Sequence, residues 1–260
     1  MSIRKGLPRG TAGRRRRWPR LRWVAAALAL AAAATTAVVL MGGSGGAAGR
    51  HAVTSDEANR LAITRFRNYQ AGGRAMTITV PSTGGGLVVT GSVDYRARIG
   101  YGVVRGAGRD TSSDGLIEWT STTVYVHPMA AVSAEAPVSP PASGWYGRPL
   151  TASGSSLDSS LAIALGLGSD RPDNAELLPQ NGAARVGRAT VHGHKADVMT
   201  GPSARAKAGT SDTVRYWIGS DGTMYRVQAG VASESQPVVI DFDTQKYVPV
   251  RPLPGVIPAK

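Results

Sequence analysis

Between Met76 and Tyr125 apolar and polar residues alternate with a period of two, and short Gly- and Asp-containing turns interrupt the runs. Met76, Ile78 and Val80 alternate with Thr77 and Thr79. Leu87, Val89, Val93 and Tyr95 alternate with Thr90, Ser92, Asp94 and Arg96, and Tyr101 and Val103 continue the theme. After a polar loop at 106–115, Ile117, Trp119 and Tyr125 share a parity, with small polar residues between them. A period of two sends successive side chains to opposite faces, so this stretch predicts an antiparallel meander with one face on a core.

Strand signals return in the second half. Residues 184–191 and 195–200 flank His192-Gly193-His194, which predicts a hairpin turn. Residues 213–218 and 223–229 flank Gly219-Ser220-Asp221-Gly222, where Asp-Gly is the strong hairpin signal. Val238, Ile240 and Phe242 make a last strand. Helical patterns are few. Thr54 and Glu57 have capping-box spacing, and Ala58, Leu61, Ala62, Phe66 and Tyr69 recur at three- and four-residue steps before Ala71-Gly72-Gly73, with Arg60, Arg65 and Arg67 on the wetter side. Residues 157–167 read as a short apolar helix capped by Ser155 or Ser156, with one further turn near 172–178. It follows a Pro- and Ser-rich excursion, residues 128–156, that holds Trp145 and Tyr146 in a loop. The order is helix, about four strands, helical excursion, about five strands: an α+β domain built on a large antiparallel sheet.

The charge is uneven. The 260 residues carry 30 Lys+Arg against 17 Asp+Glu, a formal +13. Nine of the basic residues lie in residues 1–22 with no acid among them, and without these the chain carries +4. Residues 23–41 follow, 19 residues with no charge. A hydrocarbon core of about 30 Å needs about 20 helical residues. The basic arm therefore reads as the cytoplasmic flank of a membrane span rather than as a nucleic-acid-binding tail. Two readings of the span compete, an uncleaved signal anchor and a cleaved signal peptide. Its length favours the anchor, because a signal-peptide core runs to about 7–15 residues. The expected layout is a cytoplasmic arm at 1–22, a transmembrane span at 23–41, a Gly-rich linker at 42–53, an extracytoplasmic domain at 54–247 and a Pro-rich tail at 248–260.

Chemistry is sparse. The chain has no Cys, which excludes disulfides, thiolate metal sites, cysteine nucleophiles and a lipid anchor on an N-terminal Cys. Gly42-Gly43-Ser44-Gly45-Gly46 matches G-x-S-x-G by letter, but a nucleophile elbow needs a strand before it and a helix after it. His192 and His194 share a strand face and could join Asp197 at a metal, yet two near neighbours make a poor ligand set and a solvated turn explains them. Asp241 and Asp243 share a face of the last strand, which reads as its wet face. No zincin, P-loop or EF-hand pattern occurs. The expectation is a protein that is not an enzyme and needs no cofactor or metal.

Two hairpins carry a resemblance. Ala189-Thr190-Val191-His192-Gly193-His194-Lys195-Ala196 is similar to the strand–Gly–strand hairpin of the mycobacterial LppX/LprG-type lipoproteins, and more distantly of LolA and RseB. Tyr216-Trp217-Ile218 with Asp221-Gly222-Thr223-Met224-Tyr225-Arg226 resembles that family's W…DG…R hairpin, and Gly166-Leu167-Gly168 follows a short helix as it does there. The resemblance implies a half-barrel: a curved antiparallel sheet whose concave face is closed by helices, with acyl chains held in the gap. One departure matters, since those lipoproteins carry an acylated N-terminal Cys. A protein anchor in its place suits local hand-over or sensing. The implied function is a membrane-anchored, extracytoplasmic binder of a lipid or acyl chain in the bacterial cell envelope; the alternative is a sensor partnered with another envelope protein, as RseB is. Trp119, Tyr125, Trp217, Tyr216 and Tyr225 all lie on expected strands, where core packing and cavity lining are both open to them. Parity offers Leu87, Val89, Ile117, Trp119 and Tyr125 as the ligand-binding face.

Overall fold

The first helix starts where local chemistry requires it. Thr54 Oγ1 accepts the Glu57 amide at 3.3 Å, and Glu57 Oε2 accepts the Thr54 amide at 2.9 Å. This reciprocal box satisfies two of the donors that a helix start leaves free. Helix α1 runs Ser55–Gln70 and ends at Gly72, whose φ of 83° an L side chain rarely adopts. The computed structural model describes residues 49–82, 85–108, 111–201, 214–231 and 234–254. The chain divides into a unit of residues 1–45 and a unit of residues 46–260. The basic arm and the apolar span expected at 23–41 lie outside the described residues. Among the described residues no helix is long and apolar enough to cross a membrane.

Among the described residues twelve strands form one sheet: β1 (His51–Ala52), β2 (Gly73–Val80), β3 (Leu87–Asp94), β4 (Ile99–Gly106), β5 (Gly115–Trp119), β6 (Thr123–Pro128), β7 (Tyr146–Pro149), β8 (Ala184–Val191), β9 (His194–Thr200), β10 (Arg215–Ile218), β11 (Met224–Ala229) and β12 (Val238–Phe242). Two further helices, α2 (Ser156–Gly166) and the short α3 (Leu177–Gln180), sit between β7 and β8 in the chain. The spatial order is β1-β8-β9-β10-β11-β12-β2-β3-β4-β5-β6-β7, and the sheet is open, with β1 and β7 at its edges. All pairings are antiparallel. Two meanders, β2–β7 and β8–β12, join at one seam where Ile240 of β12 faces Ile78 of β2. The α+β class with a large antiparallel sheet is therefore observed.

The helices pack on one face of this sheet, its inner face. Leu161, Ala164 and Leu165 of α2 share one buried cluster with Met76, Ile78, Val89, Ile117, Trp119, Val227 and Ile240. Ala58, Leu61 and Ala62 of α1 pack with Met199 and Ile218. Arg60 and Arg65, expected on the wet side of α1, instead pin it to the rest of the domain: Arg60 pairs with Asp197 at 2.7 Å and Arg65 with Asp173 at 2.5 Å.

Two expectations need correction. Trp145-Tyr146 was expected in a loop, but Tyr146 opens the edge strand β7, paired with Val126. The outer face of β4 and β5 is covered as well, and Tyr101, Val103, Leu116 and Glu118 are all buried. Residues from the 129–145 excursion and from the C-terminal tail cover them: Met129, Val132, Ala136, Trp145 and Val250 pack on Tyr101, Val103 and Leu116. Lastly, Tyr125 does not share a face with Ile117 and Trp119. The β5–β6 register sets Trp119 opposite Val124 and Glu118 opposite Tyr125. The turn between them reverses the parity, and Tyr125 lies on the outer face.

Candidate functional site

Ser155 Oγ caps α2 by accepting the Asp158 amide at 3.1 Å. Asp158, in the first turn, is held by both Arg148 nitrogens at 2.8 and 2.6 Å and by the Thr151 amide at 3.0 Å. Burial works to raise the Asp158 pKa; the Arg148 and Thr151 hydrogen bonds outweigh it and carry the group below its ordinary value. The carboxylate therefore fixes β7 and the start of α2 together. Leu161, Ala164 and Leu165 turn toward the sheet, which leaves Ala162 and Ile163 half-exposed on the other side of the helix.

That side forms a groove of about 440 Å³, lined by Ala152, Ser153, Ser159, Ala162, Ile163, Gly230 and Val231. Its volume falls within the range of roughly 300–1,000 Å³ usual for small-molecule sites. The lining is small and mostly apolar. Its hydroxyl at Ser159 is already engaged, donating to the Ala152 carbonyl at 2.7 Å. Such a surface recognises shape and apolar area and has little to offer a charged ligand.

None of the five residues offered as a ligand-binding face lines this groove. Val89, Ile117 and Trp119 are 1%, 0% and 0% exposed and belong to the packed core under α2, with Leu87 half-buried against it. The space that a hollow would occupy is filled by Leu161, Ala164 and Leu165. The Trp119 ring also lies on Gly100, where an added Cβ would sit 2.2 Å from it. Tyr125 lies on the opposite face of the sheet.

The metal candidates do not converge. His194 stacks on Tyr225 with ring centroids 4.5 Å apart. His192 approaches Asp241 at 3.4 Å. Asp197 is taken up by Arg60, Arg185 and Arg188. Burial would raise the Asp197 pKa, but the Arg60 and Arg185 hydrogen bonds bring it below its ordinary value. Asp241 pairs with Arg226 at 2.6 Å and Asp243 with Arg74, so these two carboxylates are structural partners of arginines. Among the described residues no group of three His, Asp or Glu could hold a metal ion.

Reading by parity passed over Glu118. It lies on β5 with no exposed surface, and its pKa is raised to about 7 by burial, opposed by a hydrogen bond from the Leu253 amide. The sequence signal was a lone acid inside the apolar run Leu116-Ile117-Glu118-Trp119.

Neither a family model nor a curated protein matches the chain. Among solved structures it is similar to an uncharacterized conserved protein from Thermus thermophilus, at 8% identity and a TM-score of 0.31 over 65% of this chain and 74% of that one. It is also similar to a DUF1329 family protein from Desulfovibrio piger, at 11% identity and a TM-score of 0.32 over 73% of this chain and 91% of that one. Likeness at this level transfers no function.

Proposed function

We propose that the domain is the extracytoplasmic, ligand-binding part of a membrane-anchored envelope protein, and that it binds an apolar ligand, the acyl chain of a lipid, without catalysis. The observation that carries this is the open groove along α2, where the half-exposed Ala162 and Ile163 lie beside the buried Val231 in a mostly apolar lining. Each methylene moved from water into such a surface gains about 0.8 kcal/mol. The open antiparallel sheet with helices on one face is the arrangement that a half-barrel of the LppX/LprG type would have. The ligand then lies not in the helix–sheet interior, which is packed, but on the outer flank of α2.

The test is native mass spectrometry of the full chain released from membranes, followed by organic extraction. A discrete added mass that extracts as lipid supports the reading. A clean protein mass with no uptake of added phospholipid or fatty acid overturns it.

A second reading, a sensor that docks on another envelope protein, is favoured by Tyr146, 70% exposed on edge strand β7, with Val138 nearby in sequence at 57%. Crosslinking from Tyr146 in cells that recovers one reproducible partner would support it; recovery of none would remove it.

A further inference from the structure

Among the described residues, three buried polar atoms without a hydrogen-bond partner lie on the outer face of the sheet: Glu118 Oε2, the Tyr101 hydroxyl oxygen and His127 Nδ1. Tyr101 and Glu118 are direct cross-strand partners, and His127 stands one step along β6 with its ring 5.3 Å from Trp145. The cover over Glu118 is irregular chain. After β12 the polypeptide doubles back across the outer face. Gln245 Nε2 donates to the carbonyls of Met76 at 3.1 Å and Gly91 at 2.7 Å. The Val248 amide donates to Ser92 Oγ at 3.2 Å, and the Leu253 amide to Glu118 Oε1 at 3.1 Å. Arg251 reaches Ser139 Oγ at 3.1 Å, which ties this segment to the 129–145 excursion.

We propose that residues 244–254 are a pH-responsive strap, closed over the sheet while Glu118 is neutral and released once Glu118 carries a charge, which lifts Val250 and Leu253 off the outer face and frees Ser92 and Glu118 of their strap contacts.

The surroundings of the carboxyl decide which charge state it tolerates. A buried carboxylate is stable when two or three donors or a cation meet it. Among the described residues Glu118 has one donor, and that donor belongs to the strap itself. The titratable and charged groups on the elements around it do not supply another. Tyr101 faces it from β4 with its own pKa pushed up to about 12, by burial and then by Glu118. Tyr125 and His127 come from β6. Arg105, on β4, is spent on the carbonyls of Val132 and Ser133. Arg251, on the strap, is spent on Ser139. A neutral carboxyl is tolerated in this setting, whereas a charged one is stabilised by letting water in. Because the folded pKa lies near 7, against an ordinary 4.5, closure is complete at low pH and weakens as the pH rises toward 7. The strap is independent of the groove along α2.

The test is amide hydrogen exchange on the full chain in detergent, read for residues 246–254 and corrected for the intrinsic pH dependence of exchange. The expected result is a loss of protection of about a hundredfold between pH 5 and pH 8, since each pKa unit is a factor of ten. Glu118→Gln keeps a carbonyl acceptor for Leu253 and should hold its protection constant over the same range. A wild-type strap with pH-independent protection, or an unchanged pH dependence in Glu118→Gln, overturns the proposal. Should that variant not fold, the 13C carboxyl resonance of Glu118 in the wild type decides: a midpoint near 7 supports the strap and a midpoint below 5 overturns it.

Discussion

Arg148 and Asp158 meet in a two-point hydrogen bond that ties the edge strand β7 to the first turn of α2, with the carboxylate side chain 4% exposed and the guanidinium 44% exposed. Removing the arginine leaves a buried carboxylate with only the Thr151 amide and its own capping contacts. Arg148→Ala should lower stability by about 1–2 kcal/mol, the half-exposed guanidinium keeping the loss below that of a fully buried pair. Because the Asp158 pKa is depressed, the stability this group supplies is present above the ordinary carboxylate range and lost as the pH falls below it. Urea melts from pH 7 downward should therefore show the difference between wild type and variant largest at pH 7 and shrinking as the pH falls through and below the ordinary carboxylate range.

Glu118 has the opposite sign. Its folded pKa is raised from 4.5 to about 7, so the native state binds more protons than the unfolded chain in that window. Global stability should fall as the pH climbs from about 4.5 to 7, by about 2–3 kcal/mol in all. Urea midpoints of Glu118→Gln should stay level over the same range once other titrating groups are subtracted.

The contact between Gly100 and Trp119 should be intolerant of any side chain. A Cβ at Gly100 would sit 2.2 Å from the buried indole, so Gly100→Ala must displace the ring or the strand. The expected loss is about 1–3 kcal/mol, the range for overpacked cores. Trp119→Ala should lose more, about 3–5 kcal/mol, through the cavity it leaves. Thermal melts followed by near-ultraviolet circular dichroism would rank the two.

Filling the groove separates binding from folding. Ala162 is half-exposed on the solvent flank of α2. Ala162→Trp should abolish uptake of a fluorescent fatty acid while changing stability by no more than about 0.5–1 kcal/mol, as for a surface substitution. Uptake equal to that of the wild type would place the ligand elsewhere.

The parts of the fold visible in the sequence are those carried by local chemistry. The Thr54–Glu57 box, the left-handed turn at His192-Gly193 and the Asp221-Gly222 hairpin each arise from a few adjacent residues. Face assignment was legible within a strand and not across a turn, as Tyr125 shows, because a single residue in the β5–β6 connection inverts the register. The burial of Glu118 left only one trace in the sequence, a lone acid inside the apolar run Leu116-Ile117-Glu118-Trp119. It depends on Leu253 and the 129–145 excursion, segments that have no periodicity to read. The groove escaped for a related reason. It exists only where α2 meets Gly230 and Val231, and neither segment alone marks it.

The seam between β12 and β2 has a consequence for biogenesis. Strand β2 emerges early in the synthesis of this sheet, whereas its partner Val238–Phe242 is the last of the sheet's strands to be made. Until then β2 offers a bare row of amides and carbonyls flanked by Met76, Ile78 and Val80, the kind of edge that recruits strands from other chains. A nascent chain of this protein is therefore most prone to aggregation until Val238–Phe242 has emerged. Truncation before residue 238 should yield insoluble material rather than a smaller folded domain, and a holdase that binds extended apolar strands would raise its yield most.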